Sequence, residues 1–328
     1  MSTTPQPDNQ LHKRQRTNKS SHPELDSPIP ETMNTESISN IQFDRKYHNI
    51  TDSMNTLSLY ENETDEIIHC LCVPYNHHKN GINIWTLYYT NPHIDCDINF
   101  KEKEELEMKE HNYYFITTYK IDATNYAACV HGRTITIIDL QTKYTFHNIW
   151  AHHRNINKFI KYEKDTNHIY IISRSKDQTI KVWCMKDLMS KYKGPNPNPN
   201  TYTCKYEVST NTEEGAIAMY EINEQDFLAI VNDQPKSIQL KNLQKHDDIY
   251  TLNGHTKEII ALKTYQKNQQ PYLASAGDDT TIIIWDLTNR TIQSKLSGHM
   301  YAISTIEIIQ NTNNKLYIAS GSNDTIKL

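Results

Sequence analysis

Four side chains recur at one spacing in this chain, and the recurrence restricts its fold more than any other feature of its 328 residues. Gly254-His255 opens a segment in which Ser275 stands ten residues before Trp285, Asp279 stands six before it, and Asp286 follows it. The pattern also occurs as Ala151-His152, with Ser173 and Asp177 at the same offsets of ten and six from Trp183 and with Cys184 in place of the final Asp. Imidazole, hydroxyl, carboxylate and indole carry complementary donors and acceptors, so the four satisfy one another when buried. A chain that repeats such a set builds the same supersecondary unit more than once.

Residues 254–287 resemble a WD repeat, the unit of a β-propeller blade. The resemblance implies a His in the turn leading into the blade, an Asp in a tight turn between two strands, and the Ser and Trp on those strands. Together they form a relay of hydrogen bonds that holds the blade and performs no reaction. Ser, His and Asp also compose a hydrolase triad, but nucleophilic catalysis needs an exposed nucleophile and an oxyanion site. A catalytic site normally occurs once, whereas this set recurs. His152, Ser173, Asp177, Trp183, His255, Ser275, Asp279 and Trp285 are therefore read as structural, and the chain as a non-enzyme with no catalytic residue.

The other units are read by the same rhythm. Met54–Tyr60, Ile67–Val73 and Ile82–Trp85 make a first unit with Asn80-Gly81 as a hairpin turn and Trp85 ending its third strand. Ile98–Asn99 ends its fourth strand, and Lys101–Glu110 is a charged connector with room for a short helix. The second unit runs from Glu110-His111 to Leu140, with Ile138-Asp139 where Trp-Asp is expected, so that apolar packing holds it unaided. The third carries the 151–184 set and an inserted Pro-Asn loop at 186–200, after which its outer strand resumes at Tyr202–Val208. A fourth unit has Lys241-Asn242 at the Trp-Asp position, the fifth is 254–287, and the last begins at Gly298-His299 and stops at Leu328. The expected fold is all-β, a propeller of four-stranded antiparallel blades, five complete and one partial. It covers residues 41–328 as a C-terminally incomplete domain, or else Ile41–Ile50 completes the sixth blade.

Residues 1–40 are rich in Ser, Thr, Pro, Asn and Gln and read as a disordered tail with a small basic cluster at His12–Arg16 and Lys19. A formal net charge of −5 gives no global attraction to nucleic acid or anionic membrane. Six scattered cysteines suit a reduced intracellular chain, cytoplasmic or nuclear, and no apolar run is long enough to span a membrane. Cys70, Cys72, His77 and His78 match no common zinc spacing, so neither metal nor cofactor is expected. Only 8 glycines and 21 tyrosines suggest short alternating strands, polar on one face.

The resemblance implies a scaffold for protein or peptide partners, with loops around a central channel. By position in the repeat, the channel mouth takes Asn155, Asn157 and Lys176 from the third unit, Glu258, Ile260 and Asp278 from the fifth, and Ala302, Ser304 and Asn323 from the last. An adaptor in a multiprotein complex is the leading reading. A nuclear RNA-processing or chromatin component and a ubiquitin-ligase substrate receptor are the alternatives, and oligomeric state is left open.

Overall fold

The computed structural model describes residues 113–328 except 192–198, 200, 232–234, 246, 248, 311–314 and 324, together with the backbone of four strands between 54 and 106. The chain divides into two units, Met1–Glu31 and Thr32–Leu328. The first lies outside the described residues, as do the rest of the expected tail, Ile41–Ile50 and the side chains of Cys70, Cys72, His77 and His78.

The second unit is a succession of antiparallel sheets whose strands pair in chain order. The first blade is β1 (Met54–Glu61), β2 (Ile68–Pro74), β3 (Ile82–Tyr89) and β4 (Ile98–Leu106). The second is β5 (Phe115–Ile121), β6 (Thr124–His131), β7 (Thr134–Asp139) and β8 (Thr145–Trp150). The third is β9 (Ile156–Asp165), β10 (His168–Ser175) and β11 (Thr179–Cys184), then helix α1 (Met185–Lys191) and β12 (Tyr206–Ser209). The fourth is β13 (Ile217–Ile222), β14 (Gln225–Val231), β15 (Ser237–Asn242) and β16 (Ile249–Asn253). The fifth is β17 (Ile259–Lys267), β18 (Gln270–Gly277), β19 (Ile282–Asp286) and β20 (Thr291–Leu296). The sixth has three strands among the described residues, β21 (Ile303–Gln310), β22 (Leu316–Ser322) and β23 (Ile326–Lys327). Each blade's first strand lies against the first strand of the next, β1 on β5 through to β17 on β21, so the blades converge there. This is a β-propeller arrangement.

With so few glycines, the hairpins between first and second strands turn on other residues. Asp122-Ala123, Asn223-Glu224 and Asn268-Gln269 all take positive φ, between 47° and 67°. Each is a two-residue loop of the kind whose twist matches the flanking strands, and the Asn and Asp at the first position tolerate that backbone best.

Several expectations are corrected. The middle strands are buried on both faces, β10 at all but its first position and β19 throughout, because blades pack against each other on either side. The charged run that opens at Lys101 belongs to a strand, since β4 begins at Ile98 and runs to Leu106. Trp85 is paired with Cys70 in mid-strand and does not end β3. The 186–200 segment is not all loop. Its first part is α1, which buries Met185 and Leu188, and β12 starts at Tyr206, later than expected. The second blade is not held by apolar packing alone, because Thr136 Oγ1 donates to Asn148 Oδ1 at 2.8 Å across β7 and β8.

The end of the insertion straps the second blade. Pro199 O accepts the Trp150 N–H at 3.3 Å, and Tyr202 hydrogen-bonds His147 Nδ1 at 2.7 Å inside the core shared by the second and third blades. Neighbouring blades are also sealed by aromatic pairs placed directly opposite each other on their first two strands. These are Tyr119 with Tyr126, Tyr162 with Tyr170, Tyr220 with Phe227, and Tyr265 with Tyr272, at ring-centroid distances of 5.6, 6.3, 5.1 and 5.5 Å. Cross-strand aromatic pairs add packing energy beyond their area. Each lies in the core formed with the following blade, for example Tyr220 and Phe227 against Ile259 and Leu273.

Candidate functional site

In the fifth blade Ser275 and Trp285 sit on neighbouring strands, and the turn before β17 carries His255 in above them. Trp285 Nε1 donates to Ser275 Oγ at 2.8 Å, and Ser275 Oγ lies 2.7 Å from His255 Nε2. His255 Nδ1 lies 2.9 Å from Asp279 Oδ2, which also accepts the Thr256 N–H at 2.9 Å. A carboxylate only accepts, so the imidazole proton sits on Nδ1 and Nε2 accepts the Ser hydroxyl. Asp279 Oδ1 holds its own turn through Thr281 Oγ1 at 2.7 Å. The third blade repeats the set, with Trp183 Nε1 to Ser173 Oγ at 3.1 Å, Ser173 Oγ to His152 Nε2 at 2.8 Å, and His152 Nδ1 to Asp177 Oδ2 at 3.1 Å. The sixth keeps its first part, His299 Nε2 to Ser320 Oγ at 2.8 Å.

Ser173 and Ser275 have no exposed surface, and each hydroxyl already accepts an indole N–H. A serine so enclosed admits no substrate carbonyl, and its hydroxyl joins the leading turn to the two strands. Strand register shows what replaces it elsewhere. Cys129 and Ile230 occupy the Ser position in the second and fourth blades, and Ile138 and Lys241 the Trp position. Lys241 Nζ reaches back to Ser209 O of the third blade at 3.4 Å. The residue after the Trp position caps the following turn, as Asp139, Asn242 and Asp286 each accept two backbone N–H groups. Cys184 lacks that carboxylate, and there the chain enters α1.

The residues assigned to the channel mouth fall at the same end of their blades as the leading turns. Asn155 and Lys176 are exposed neighbours, with Lys176 N–H on Asn155 O at 3.0 Å, and Asp278 N–H meets Glu258 O at 2.9 Å in the same way. Asn157, Ile260 and Ser304 share a feature that spacing alone does not reveal: each is the extra residue of a β-bulge in its blade's first strand. A bulge re-aims a side chain out of the ladder, and the same register shift recurs at one level in four blades, that of the first blade falling between Met54 and Thr56. Asn157 Nδ2 donates to Glu213 O at 2.6 Å and Ser304 Oγ to Gly321 O at 3.3 Å. Ala302 is half-buried and Asn323 exposed. Met300 and Tyr301, 79% and 55% exposed, follow His299 at this end and were missed, although they directly follow a leading His in the sequence. Among the described residues no three His, Cys, Asp or Glu side chains converge as metal ligands, and no helix is long and apolar enough to cross a membrane.

Sheets of this form joined at their first strands, with buried His-Ser-Trp relays, define a WD-type propeller. Residues 246–286 match the family model described as WD domain, G-beta repeat. Residues 246–286 thus form a WD repeat within a β-propeller. The chain is 33% identical over 81 residues to nuclear distribution protein PAC1 of Saccharomyces cerevisiae, a match covering 25% of this chain and 15% of that protein. It is 28% identical over 71 residues to coatomer subunit beta'-1 of Arabidopsis thaliana, covering 22% and 8%. It is 24% identical over 216 residues to a CCR4-associated factor 4 homolog of Vanderwaltozyma polyspora, covering 56% and 30%. The matches thus span less than a third of these relatives' lengths.

Acid is expected to weaken the fold in two steps. Burial lowers the pKa values of His147, His152 and His255, that of His147 to about 4. A folded-state pKa below the unfolded value of about 6.5 means the unfolded chain binds protons first, so stability is full above about pH 6.5 and falls as pH drops toward 4. Burial raises Asp177 and Asp279, but their hydrogen bonds outweigh it and leave both at about 2, so a second loss follows between about pH 4 and 2. Melting temperature against pH measures both steps, and His147→Gln should shrink the first alone.

Proposed function

We propose that this chain is a non-enzymatic adaptor that holds a protein or peptide partner at the leading-turn end of its blades, within a larger complex. A WD propeller is a fold typical of protein-interaction scaffolds. The observation that carries the reading is the recurring bulge at the start of the first strand, found in four blades, which displaces Asn157, Ile260 and Ser304 from the ladder at one level where the blades converge. Rigid strands thereby present side chains that the blade core does not need. Around them stand Asn155, Lys176, Glu258, Asp278, Ala302 and Asn323, a polar surface suited to an extended peptide more than to a small molecule. The relay His and Ser supply no chemistry to this surface and only hold its turns in place.

The test is comparative capture from the native cells. A Lys176→Glu, Glu258→Lys variant should keep its melting temperature and lose its partners, while Asn223→Lys, in a hairpin at the other end of the fourth blade, should keep them. Equal capture by the first variant and the parent chain would place the partner surface elsewhere.

A further inference from the structure

At one tier the third blade differs from its siblings in a way that the fold does not require. One step along the strands from the bulge, Lys158 on β9 is paired with Arg174 on β10. The fifth blade has Ala261 opposite Ala276 at this register, and the sixth has Thr305 opposite Gly321. Like charges placed directly across a strand pair destabilise the sheet, and small neutral residues serve the other two blades. The two cations are unequally provided for. Arg174 is fully buried and its guanidinium is held by the fourth blade and the connector leading into it, Nη1 by Val231 O at 3.0 Å and Nη2 by Thr212 Oγ1 at 2.6 Å. Lys158 is half-buried beside it, and no described residue gives its ammonium a carboxylate or a hydrogen-bond acceptor. Burial and the Arg174 charge both push its pKa down, so the ammonium sits where it is disfavoured. The neighbouring bulge residue has the opposite need, because Asn157 Oδ1 is buried and receives no donor.

An acidic peptide answers both groups, its side-chain carboxylate neutralising the ammonium and a backbone N–H meeting the amide oxygen once the Asn157 side chain turns outward from Glu213 O. We propose that Lys158 and Asn157 form a subsite for an aspartate or glutamate of a peptide partner, with Arg174 adding a second positive charge from beneath as a positioning residue. Exposed Lys176 extends positive charge along the same end of the blade and draws an acidic segment toward it, whereas Arg154 is paired with Glu213 at 3.7 Å. The inference rests on the adaptor reading and narrows the partner to an acidic segment.

Fluorescence anisotropy on the full chain decides it, using a fluorescein-labelled Gly-Ser peptide carrying four glutamates, its glutamine counterpart and its phosphoserine counterpart. The glutamate peptide should bind at least about tenfold more tightly than the glutamine peptide, a difference of about 1.4 kcal/mol. Lys158→Met should abolish the preference, Lys158→Arg should retain it, and Lys267→Met, at the far end of β17, should leave it unchanged. Lys158→Met should also melt at the same temperature or higher, since it removes a like-charge neighbour, whereas a purely structural lysine would lower it. Equal binding of glutamate and glutamine peptides, an undiminished preference in Lys158→Met, or binding of the phosphoserine peptide alone would overturn the proposal. The adaptor reading would survive any of these if the Lys176→Glu, Glu258→Lys variant still loses its native partners.

Discussion

His255→Ala is expected to lower the free energy of unfolding by about 1–3 kcal/mol, the range for stranding buried hydrogen-bonding partners. Removing the ring deprives the Ser275 hydroxyl of its acceptor and leaves Asp279 with the Thr256 and Thr281 donors only. Ser275 retains a weak alternative in Ile283 O at 3.4 Å, which limits the loss. His152→Ala should cost a similar amount, since its ring makes the same two contacts with Ser173 and Asp177. Urea unfolding with an unchanged m-value measures both effects. In each variant, partner binding should decline only as the folded fraction declines. A variant that stayed fully stable and lost a specific activity would show that the relay serves chemistry.

The two relays were legible in the sequence because each needs four residue types at fixed offsets, and strand pairing leaves little freedom in those offsets. The sixth blade was legible for the same reason up to Ser320, whose register partner Ile306 matches Leu262 opposite Ser275 and Phe159 opposite Ser173. The second and fourth blades lack the polar set, so only their apolar rhythm marked them. The aromatic pairs went unread although the sequence carries them. Tyr126, Tyr170 and Tyr272 each stand three residues before Cys129, Ser173 and Ser275, and the partner across the hairpin emerges only once register is known.

The candidate site was legible as a set of positions and not as a geometry. Counting from the leading His finds Asn157, Ile260 and Ser304, but a bulge is a property of two strands together and has no signature in one. The same limit hid the Lys158 and Arg174 pair, whose members lie sixteen residues apart and meet only in the ladder. It also hid the strap from Tyr202 to His147, because a contact between blades obeys no repeat spacing.

Gly215→Ala should be the most damaging small substitution at the seam between the third and fourth blades. Gly215 has φ of +132°, a conformation that side chains with a Cβ rarely adopt, and an added Cβ would stand 2.2 Å from Val231 O and 3.0 Å from Arg174 Nη1. The chain must therefore leave that conformation and displace two carbonyls that hold Arg174, Gly215 O at 3.3 Å and Val231 O at 3.0 Å. Backbone strain and weakened bonds to a buried charge together should cost about 3–5 kcal/mol, or about 10 °C in melting temperature for a domain of this size. Gly298→Ala separates the two causes. Its φ of +145° is equally unsuited to alanine, but the nearest atom to the new Cβ is Lys327 Nζ at 3.7 Å, so strain acts without collision and should cost about 1 kcal/mol. If the loss at Gly215 runs through Arg174, then adding Gly215→Ala to an Arg174→Met background should cost at least about 1 kcal/mol less than adding it to the parent chain. Strict additivity of the two substitutions would show that Gly215 matters for its backbone alone and that Arg174 is not what ties the third blade to the fourth.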